Sequence, residues 1–301
     1  MYLKDKYVNP LTDFGFKKLF GEEPNKELLI DFLNQLLPEA HKIEELTYSK
    51  NEHLGQKALD RRAIFDLHCK NAKGDWFIVE LQKAKQNYFK DRSVYYSTFP
   101  IQEQARRGDW DFQLAAVYTI GVLDFIFDES KEEPAILHKV QLKNERNQVF
   151  YDKLTYIYIE LPKFLKKEHQ LTNRFDKWLY ILRHLAQLNE RPKRLEEDIF
   201  TRLFEAAEIA QFSQAERVRY EDSLKYYRDI KNVVDTSKQE GWIEGKQEGI
   251  KEGMQKGLKE GKQEGIKQGL LRTALEMKND GLSISKIALY TGLSIDEIEL
   301  L

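Results

Sequence analysis

Apolar residues recur at two distinct spacings along the chain, and these spacings predict a mixture of helices and strands. Residues 24–37 place Leu and Phe at helical spacing between two prolines, which predicts a helix. Residues 64–70 and 76–83 alternate apolar and polar positions around the turn sequence NAKGD, which predicts a β-hairpin. The chain therefore begins with a helix that is followed by a hairpin.

The later segments predict a sheet that is covered by helices. A polar and aromatic helix is predicted over residues 88–107, with Pro100 kinking or dividing it. Apolar strands are predicted within 113–127 and over 154–164. Two further helices are predicted around 175–188 and 199–212. This order predicts an α/β fold in which a central mixed sheet is flanked by helices.

The sequence changes character beyond residue 226. From Gly241 to Gly269 a glycine occupies every fourth position, and Glu, Gln and Lys fill most of the space between. In a helix these glycines would form a stripe that drifts by ~40° per repeat, at a cost of roughly 8 kcal/mol relative to alanine. The segment 226–270 is therefore either a helix that packs against a partner, which would make the chain a homo-oligomer, or a solvated linker.

The last segment, 271–301, has the amphipathic pattern of a small helix–turn–helix with Gly292 in its turn. Its second helix would begin at Asp296 and is acidic, so we expect it to pack against protein and not to read DNA. Together these boundaries predict a main domain over 1–225, a glycine-repeat segment and a small helical tail.

Composition narrows the class of protein. Charged residues make up 33% of the 301 residues, and the formal net charge is −2, which favours a soluble globular protein without a large basic surface. Cys69 is the single cysteine, which excludes an intramolecular disulfide. No apolar run approaches the ~18 residues of a membrane span. We therefore expect a cytoplasmic protein that does not enter a membrane.

The predicted hairpin carries three polar side chains on one face, namely Asp66, Glu80 and Gln82. A hairpin centred on Lys73 aligns residues whose numbers sum to 146. In that register Asp66 lies opposite Glu80, and Ile64 lies opposite Gln82. Directly opposed side chains have Cβ atoms ~5 Å apart.

Two carboxylates this close repel each other unless a proton or a cation lies between them. A hard ion such as Mg²⁺ fits, with Asp66, Glu80 and the backbone carbonyl of Leu81 as ligands. Such an ion would polarise a phosphodiester and activate a bound water. The alternative is two acids on a solvated strand face. Ile64, Trp76 and Ile78 share this face, however, so we expect it to be at least partly buried, where unpaired acids are costly.

Several stretches together resemble the PD-(D/E)XK nuclease superfamily, and more narrowly the bacterial recombination-promoting nuclease and transposase family. They are LTDFGFKKLFGEEPNKELLIDFLNQLL, FDLHCKNAKGDWFIVELQ, YFKDRSVYYSTFPIQEQARRG and KLTYIYIELPKF. The likeness covers roughly residues 7–215. It implies a restriction-endonuclease-like fold, and the residues beyond it are expected to form a helical or low-complexity C-terminal extension. It also implies Mg²⁺-dependent DNA cleavage, with Mn²⁺ or another divalent cation able to substitute.

The resemblance assigns Asp66 and Glu80 to the metal and places Gln82 where the motif has lysine. Phe65 stands in place of the motif proline, which is a mild departure. Gln82 is a larger departure, because glutamine cannot supply the charge or proton of lysine, although it can orient water or phosphate. Lys83 is adjacent, but strand alternation directs it to the opposite face.

Further residues are expected to help bind the substrate. Asp13 either approaches the metal from the first helix or caps that helix, and Lys17 either contacts phosphate or lies on the surface. Four residues of the helix after the hairpin could line a DNA-facing groove through stacking and hydrogen bonds: Arg92, Tyr96, Gln102 and Gln104.

Two functions from different classes fit these features. The first is a metal-dependent endonuclease that hydrolyses DNA phosphodiesters and acts in recombination or in a mobile element. The second is a catalytically weak or inactive nuclease-like scaffold that binds DNA or protein and carries a self-associating or autoinhibitory tail.

Overall fold

The structure, a computed structural model, describes most of the chain, namely residues 5–49, 52–53, 63–64, 66–105 and 111–301. The chain divides into two compact units, Met1–Val234 and Asp235–Leu301. The first unit contains the sheet and the candidate site. The second contains the glycine repeat and the C-terminal residues.

Within the described residues, six strands of the first unit form one mixed sheet. In their order across the sheet they are β1 (Leu46–Tyr48), β4 (Leu67–Asn71), β5 (Trp76–Gln82), β6 (Val117–Leu123), β8 (Val149–Glu160) and β7 (Leu137–Lys143). A separate pair is formed by β2 (Glu52–His53) and β3 (Ala63–Ile64). The strands β5, β6 and β8 are parallel, and the other neighbours in the large sheet are antiparallel.

Helices cover both faces of this sheet. The larger core lies under α1 (Asp13–Phe20), α2 (Lys26–Asn34), α4 (Arg174–His184) and α5 (Asp198–Ala207). The opposite face is covered by α3 (Phe89–Glu103). The predicted α/β fold with a flanked central mixed sheet is confirmed, and it is consistent with a restriction-endonuclease-like architecture.

Alternation along β5 explains how one strand serves both faces. Phe77, Val79 and Leu81 are buried in the larger core. Burial of their apolar side chains stabilises the fold. Ile78 points the other way and packs against Tyr96 of α3. The polar residues Glu80 and Gln82 share the face of Ile78, so the strand pattern itself brings them to the α3 side.

Several boundaries differ from the sequence prediction. The helix α3 is continuous through Pro100, so the predicted division is wrong. Pro100 lies in the last turn of α3, so the one i→i−4 hydrogen bond that proline cannot form lies close to the C-terminal end of the helix. The edge strands β1 and β7 were not predicted. β7 is largely exposed, and its sequence therefore lacks the apolar pattern that predicts a buried strand.

A close approach at Gly15 fixes the start of α1. Thr12 caps the helix by accepting a hydrogen bond from the Gly15 N–H, and the Thr12 hydroxyl donates to the Asn9 carbonyl at 2.7 Å. A Cβ added at Gly15 would lie 2.0 Å from the Asn9 carbonyl oxygen. The turn and the helix can therefore pack this tightly only with glycine at this position.

Gly15→Ala is expected to lower the free energy of unfolding of the first unit by about 3 kcal/mol, because the turn must shift to admit the methyl group. Chemical denaturation followed by tryptophan fluorescence measures this change. Glu39→Ala is the control, since the side chain of Glu39 is 85% exposed. An unchanged midpoint for Gly15→Ala would contradict this packing.

The second unit is helical. The helix α6 (Gln214–Asn279) contains the glycine repeat, and α7 (Ile284–Thr291) and α8 (Ile295–Glu299) follow it. Gly292 has a φ of 71° and makes the left-handed turn between α7 and α8. Ala274, Ile287 and Ile298 form a small core. None of the helices in the described part of the chain has the length and apolarity needed to cross a lipid bilayer.

Candidate active site

The β4–β5 hairpin has the register that its turn sequence predicts. Leu67 pairs with Val79, and Lys70 pairs with Trp76. Each pair of residue numbers sums to 146, as in the predicted alignment centred on Lys73. One step beyond the last pair, this register brings Asp66 opposite Glu80.

The predicted pairing of Ile64 with Gln82 is wrong. The chain bends at Asp66, so that Ile64 pairs with Glu52 in the small two-stranded sheet. Gln82 pairs with Leu123 of β6. Phe65, which stands at the motif proline, lies outside the described residues.

Backbone hydrogen bonds tie Asp66 and Glu80 to each other's strand. The Asp66 N–H donates to Glu80 Oε1 at 3.3 Å, and the Leu81 N–H donates to Asp66 Oδ2 at 2.6 Å. Each carboxylate therefore accepts from the backbone across the hairpin. The two acids occupy one site at the end of the hairpin that lies away from its turn.

Both carboxyl groups have raised pKa values. Burial and the neighbouring charge of Asp66 raise the pKa of Glu80 to about 8, while Arg92 and Lys17 act in the opposite direction. Burial also raises the pKa of Asp66, and the Leu81 N–H and Lys17 oppose that shift. Two half-buried acids that resist joint ionisation require a proton or a cation between them. Carboxyl groups with raised pKa values are characteristic of functional sites.

Asp13 and Lys17 lie on α1 within electrostatic reach of this site. Their side chains form an ion pair in which Lys17 Nζ lies 2.9 Å from Asp13 Oδ1. Lys17 lowers the pKa of Asp66 and Glu80, whereas Asp13 raises that of Asp66. The alternative that Asp13 caps the helix is wrong, because Thr12 is the cap.

A cleft of about 450 Å³ opens beside α1. Its lining includes Lys17, Leu67 and, from the first turns of α6, Arg219. Leu67 follows Asp66 directly in the chain, but neither Asp66 nor Glu80 is among the residues that line the cleft. Sequence patterns did not predict Arg219 as a neighbour, because a surface helix so far along the chain carries no signal of where it docks.

Gln82 is buried, and both ends of its amide are engaged. Its Nε2 donates to the Ala84 carbonyl at 2.8 Å, and its Oε1 accepts a hydrogen bond from Arg92 Nη2. The Gln82 side chain therefore lies on the same face of β5 as Glu80, and its Oε1 contacts the Arg92 guanidinium.

The four predicted residues of α3 fall into two groups. Arg92 and Tyr96 lie near Gln82, with the Arg92 guanidinium 5.8 Å from the centre of the Tyr96 ring. Gln104 lies near the hairpin turn, where its Oε1 accepts from a backbone N–H at 2.7 Å, and Gln102 is exposed close by. Because each helical residue adds ~1.5 Å, Gln102 and Gln104 lie roughly 15 Å or more along α3 from Arg92. The structure does not bring them to the acids.

Lys83 lies on the opposite face of β5, as alternation predicts, yet it remains within electrostatic reach of the site. Its ammonium sits 5.3 Å from the centre of the Tyr226 ring of α6. Burial lowers the pKa of Lys83, while the negative charges of Asp13 and Asp66 oppose that shift. The end of a strand allows side chains from both faces to approach one point.

The available donors could hold a hard divalent cation. Asp124 donates its N–H to the Gln82 carbonyl, so the even-numbered residues of β5 direct their backbone groups towards β6. Leu81 directs its N–H towards Asp66, and its carbonyl lies on that same side. In the part of the chain that is described, no group of three His, Cys, Asp or Glu residues is arranged to bind a metal. Two carboxylates and one carbonyl, completed by water and phosphate oxygens, are a set that Mg²⁺ accepts.

A family model described as PD-(D/E)XK nuclease family transposase matches residues 10–237. No curated protein and no solved structure matches the chain. The family match includes Asp66, Glu80 and the first turns of α6, and it confirms the resemblance seen in the sequence. The chain belongs to the PD-(D/E)XK nuclease family transposases.

Proposed function

We propose that this protein is a divalent-metal-dependent endonuclease that hydrolyses phosphodiester bonds in DNA. The observation that carries the proposal is the pair of half-buried acids, Asp66 and Glu80, joined by backbone hydrogen bonds at the end of one hairpin. Membership of a nuclease family supports this chemistry, and the family's description as a transposase supports a role in recombination or in a mobile element.

Asp66, Glu80 and the Leu81 carbonyl are the proposed metal ligands. Mg²⁺ is the ion proposed first, and Mn²⁺ or another divalent cation is expected to substitute. When bound, the ion supplies positive charge to the scissile phosphate and lowers the pKa of a coordinated water. The hydrogen bond from the Leu81 N–H keeps the Asp66 carboxylate oriented towards this position.

The chain's own cations are placed to hold the DNA backbone. Lys17 approaches from α1 and Arg92 from α3, and both lower the pKa of Glu80. Positive charge therefore reaches the acids from both sides, which favours a phosphate there. Arg219 lines the neighbouring cleft, where basic and acidic side chains are mixed. Tyr96 offers an aromatic ring beside Arg92 for contact with a base.

A plasmid assay tests this function. The full chain is incubated with supercoiled plasmid and Mg²⁺, Mn²⁺ or EDTA. Nicked and linear products with either ion, and none with EDTA, are the expected result. The alternative scaffold function predicts DNA binding without cleavage under all three conditions.

We also propose that the chain forms a homodimer through the glycine repeat of α6. A Cβ added at any of the glycines from Gly241 to Gly269 would meet no atom within 4 Å. Exposed apolar side chains directly follow five of these glycines and form a ridge: Trp242, Ile250, Met254, Leu258 and Ile266.

The ridge and the glycine groove lie side by side, about 100° apart around the helix. Both follow the i±4 rows, which interdigitate with the same rows of another helix at a crossing angle of about −50°. One helix therefore offers a ridge and a groove that complement those of a second copy. Residues 240–255 carry four acidic and two basic side chains, whereas residues 256–272 carry two acidic and five basic ones. This asymmetry favours an antiparallel pair.

Gly253→Gln with Gly257→Gln is expected to convert a dimer into a monomer while raising helix content. Glutamine fills the groove without adding apolar surface, and it is the better helix former by roughly 0.5–1 kcal/mol per site. Sedimentation equilibrium and circular dichroism of the full chain measure the two effects.

Met254→Lys with Leu258→Lys removes the ridge and should also give a monomer. Gln255→Ala with Lys259→Ala changes the face opposite the glycines and should leave the dimer intact. A monomeric parent chain, or a dimer that survives the glutamine substitutions, would show that this helix does not drive self-association.

A further inference from the structure

We propose that Arg92 supplies the positive charge at the scissile phosphate that the family motif places on lysine, and that Gln82 is the residue that positions it. This inference rests on the proposed nuclease function. It concerns two residues on different elements, the end of β5 and the first turn of α3, that the fold brings into direct contact.

The contacts of Gln82 determine which way its amide points. Its Nε2 donates to the Ala84 carbonyl at 2.8 Å, which requires the Oε1 end to point away from that carbonyl. This Oε1 accepts a hydrogen bond from Arg92 Nη2. Only 7% of Gln82 is exposed, so the amide is held between these two partners and not turned towards solvent. Gln82 therefore acts as a fixed acceptor for a cation.

The Arg92 guanidinium is held by more than Gln82. Its Nη1 donates to Gln86 Oε1 at 2.5 Å, and the group lies over the Phe89 ring at 5.3 Å and the Tyr96 ring at 5.8 Å. Stacking of this kind orients a guanidinium plane and limits its side-chain freedom. Arg92 is therefore a preorganised cation beside the acids.

The charge of Arg92 remains available to a ligand. Within the described residues, both of its hydrogen-bond acceptors are neutral amides, those of Gln82 and Gln86. These bonds use two of the five N–H donors of the guanidinium, and the planar fork matches two oxygens of a phosphate. Its field already reaches Glu80, whose pKa it lowers. A phosphate bound beside the acids could thus contact the Arg92 guanidinium without displacing a carboxylate from it.

This arrangement explains how glutamine can occupy the lysine position. A lysine at residue 82 would carry its own charge on β5. Here the charge comes from α3, and the residue on β5 supplies the acceptor that directs it. A lysine at 82 and an arginine at 92 are then alternative sources of one charge, so that either should suffice.

The test exchanges the two sources. Arg92→Gln is expected to reduce plasmid cleavage at least about a hundredfold, which corresponds to ~2.7 kcal/mol. The double variant with Gln82→Lys and Arg92→Gln is expected to cleave at least about ten times faster than Arg92→Gln alone. Lys90→Gln removes a neighbouring charge of α3, one that pairs with Glu129, and should cleave like the parent chain. Arg92→Gln that cleaves normally, or no restoration by Gln82→Lys, would overturn the assignment.

A second readout does not depend on cleavage. Binding of a short DNA duplex by the full chain is measured in EDTA over a range of salt concentrations. Loss of one phosphate contact should reduce the slope of log K against log salt by about 0.9 in Arg92→Gln. The slope should return in the double variant and stay unchanged in Lys90→Gln. An unchanged slope in Arg92→Gln would count against Arg92 as a phosphate contact, whereas failure of the parent chain to cleave DNA would count against the nuclease function itself.

Discussion

Asp66→Ala and Glu80→Ala should each reduce cleavage of plasmid DNA at least about a hundredfold, a loss of ~2.7 kcal/mol or more of transition-state stabilisation. Each substitution removes one of the two carboxylates that share the end of the hairpin. A divalent ion held by one carboxylate and one carbonyl would bind more weakly and in a different position. Single-turnover rates with saturating Mn²⁺ measure the effect on the chemical step.

The same variants should keep the fold, because neither side chain belongs to the apolar core. Unchanged far-ultraviolet circular dichroism and an unchanged elution volume verify this. Glu39→Ala is the matched control, since it removes an acid whose side chain is 85% exposed. Cleavage by Asp66→Ala or Glu80→Ala at the rate of the parent chain would show that the hydrolysis occurs elsewhere.

Glu80→Gln should stabilise the metal-free protein above pH 8 by at least about 2 kcal/mol. The pKa of Glu80 is raised in the folded state to about 8, mainly because the group is buried and lies beside Asp66. A carboxyl with a raised pKa favours folding in its protonated form, and this contribution is lost as the pH rises from the unfolded pKa through about 8. Glutamine keeps a neutral group of similar shape at every pH, so its advantage should grow over that interval.

A divalent cation should act in the opposite direction. At one hundred times its dissociation constant, a ligand that binds only the folded state adds ~2.7 kcal/mol of stability. Mn²⁺ should therefore raise the unfolding midpoint of the parent chain and leave that of Glu80→Gln nearly unchanged. Denaturation at pH 6 and pH 8.5, with and without Mn²⁺, separates the two effects. Equal stability of both proteins at pH 8.5 in EDTA would contradict a destabilising acid pair.

The hairpin was the part of the site that the sequence could predict. A short turn with Gly74 at positive φ sets the register between β4 and β5, and register decides which side chains oppose each other. Local pattern was therefore sufficient to bring Asp66 to Glu80. It failed at Ile64, because a bend at Asp66 directs the preceding residues to another strand.

The contacts made by helices could not be predicted in the same way. The meeting of Gln82 and Arg92 depends on where α3 crosses the sheet, and only buried packing such as Ile78 against Tyr96 determines that. The approach of Arg219 depends on the docking of α6, which begins more than a hundred residues after the hairpin. Such contacts of high sequence separation leave no periodic signal in either segment.

Edge strands were missed for a related reason. β7 exposes most of its residues, and its sequence LHKVQLK mixes apolar and charged positions without the uniform burial of β6. The sequence of a buried parallel strand is a continuous apolar run, which predicts a strand. An edge strand has no such run, so it becomes evident only from its pairing with a neighbouring strand. The central strands of the sheet were therefore predicted, and its borders were not.

Crystals of the full chain grown with Mn²⁺ offer the most direct measurement, through the anomalous signal of the bound ion. One Mn²⁺ ion between the carboxylates of Asp66 and Glu80, with the Leu81 carbonyl as a further ligand, is the predicted result. An ion that binds away from these residues, in a protein that cleaves DNA with Mn²⁺, would contradict the assignment of this hairpin as the catalytic centre.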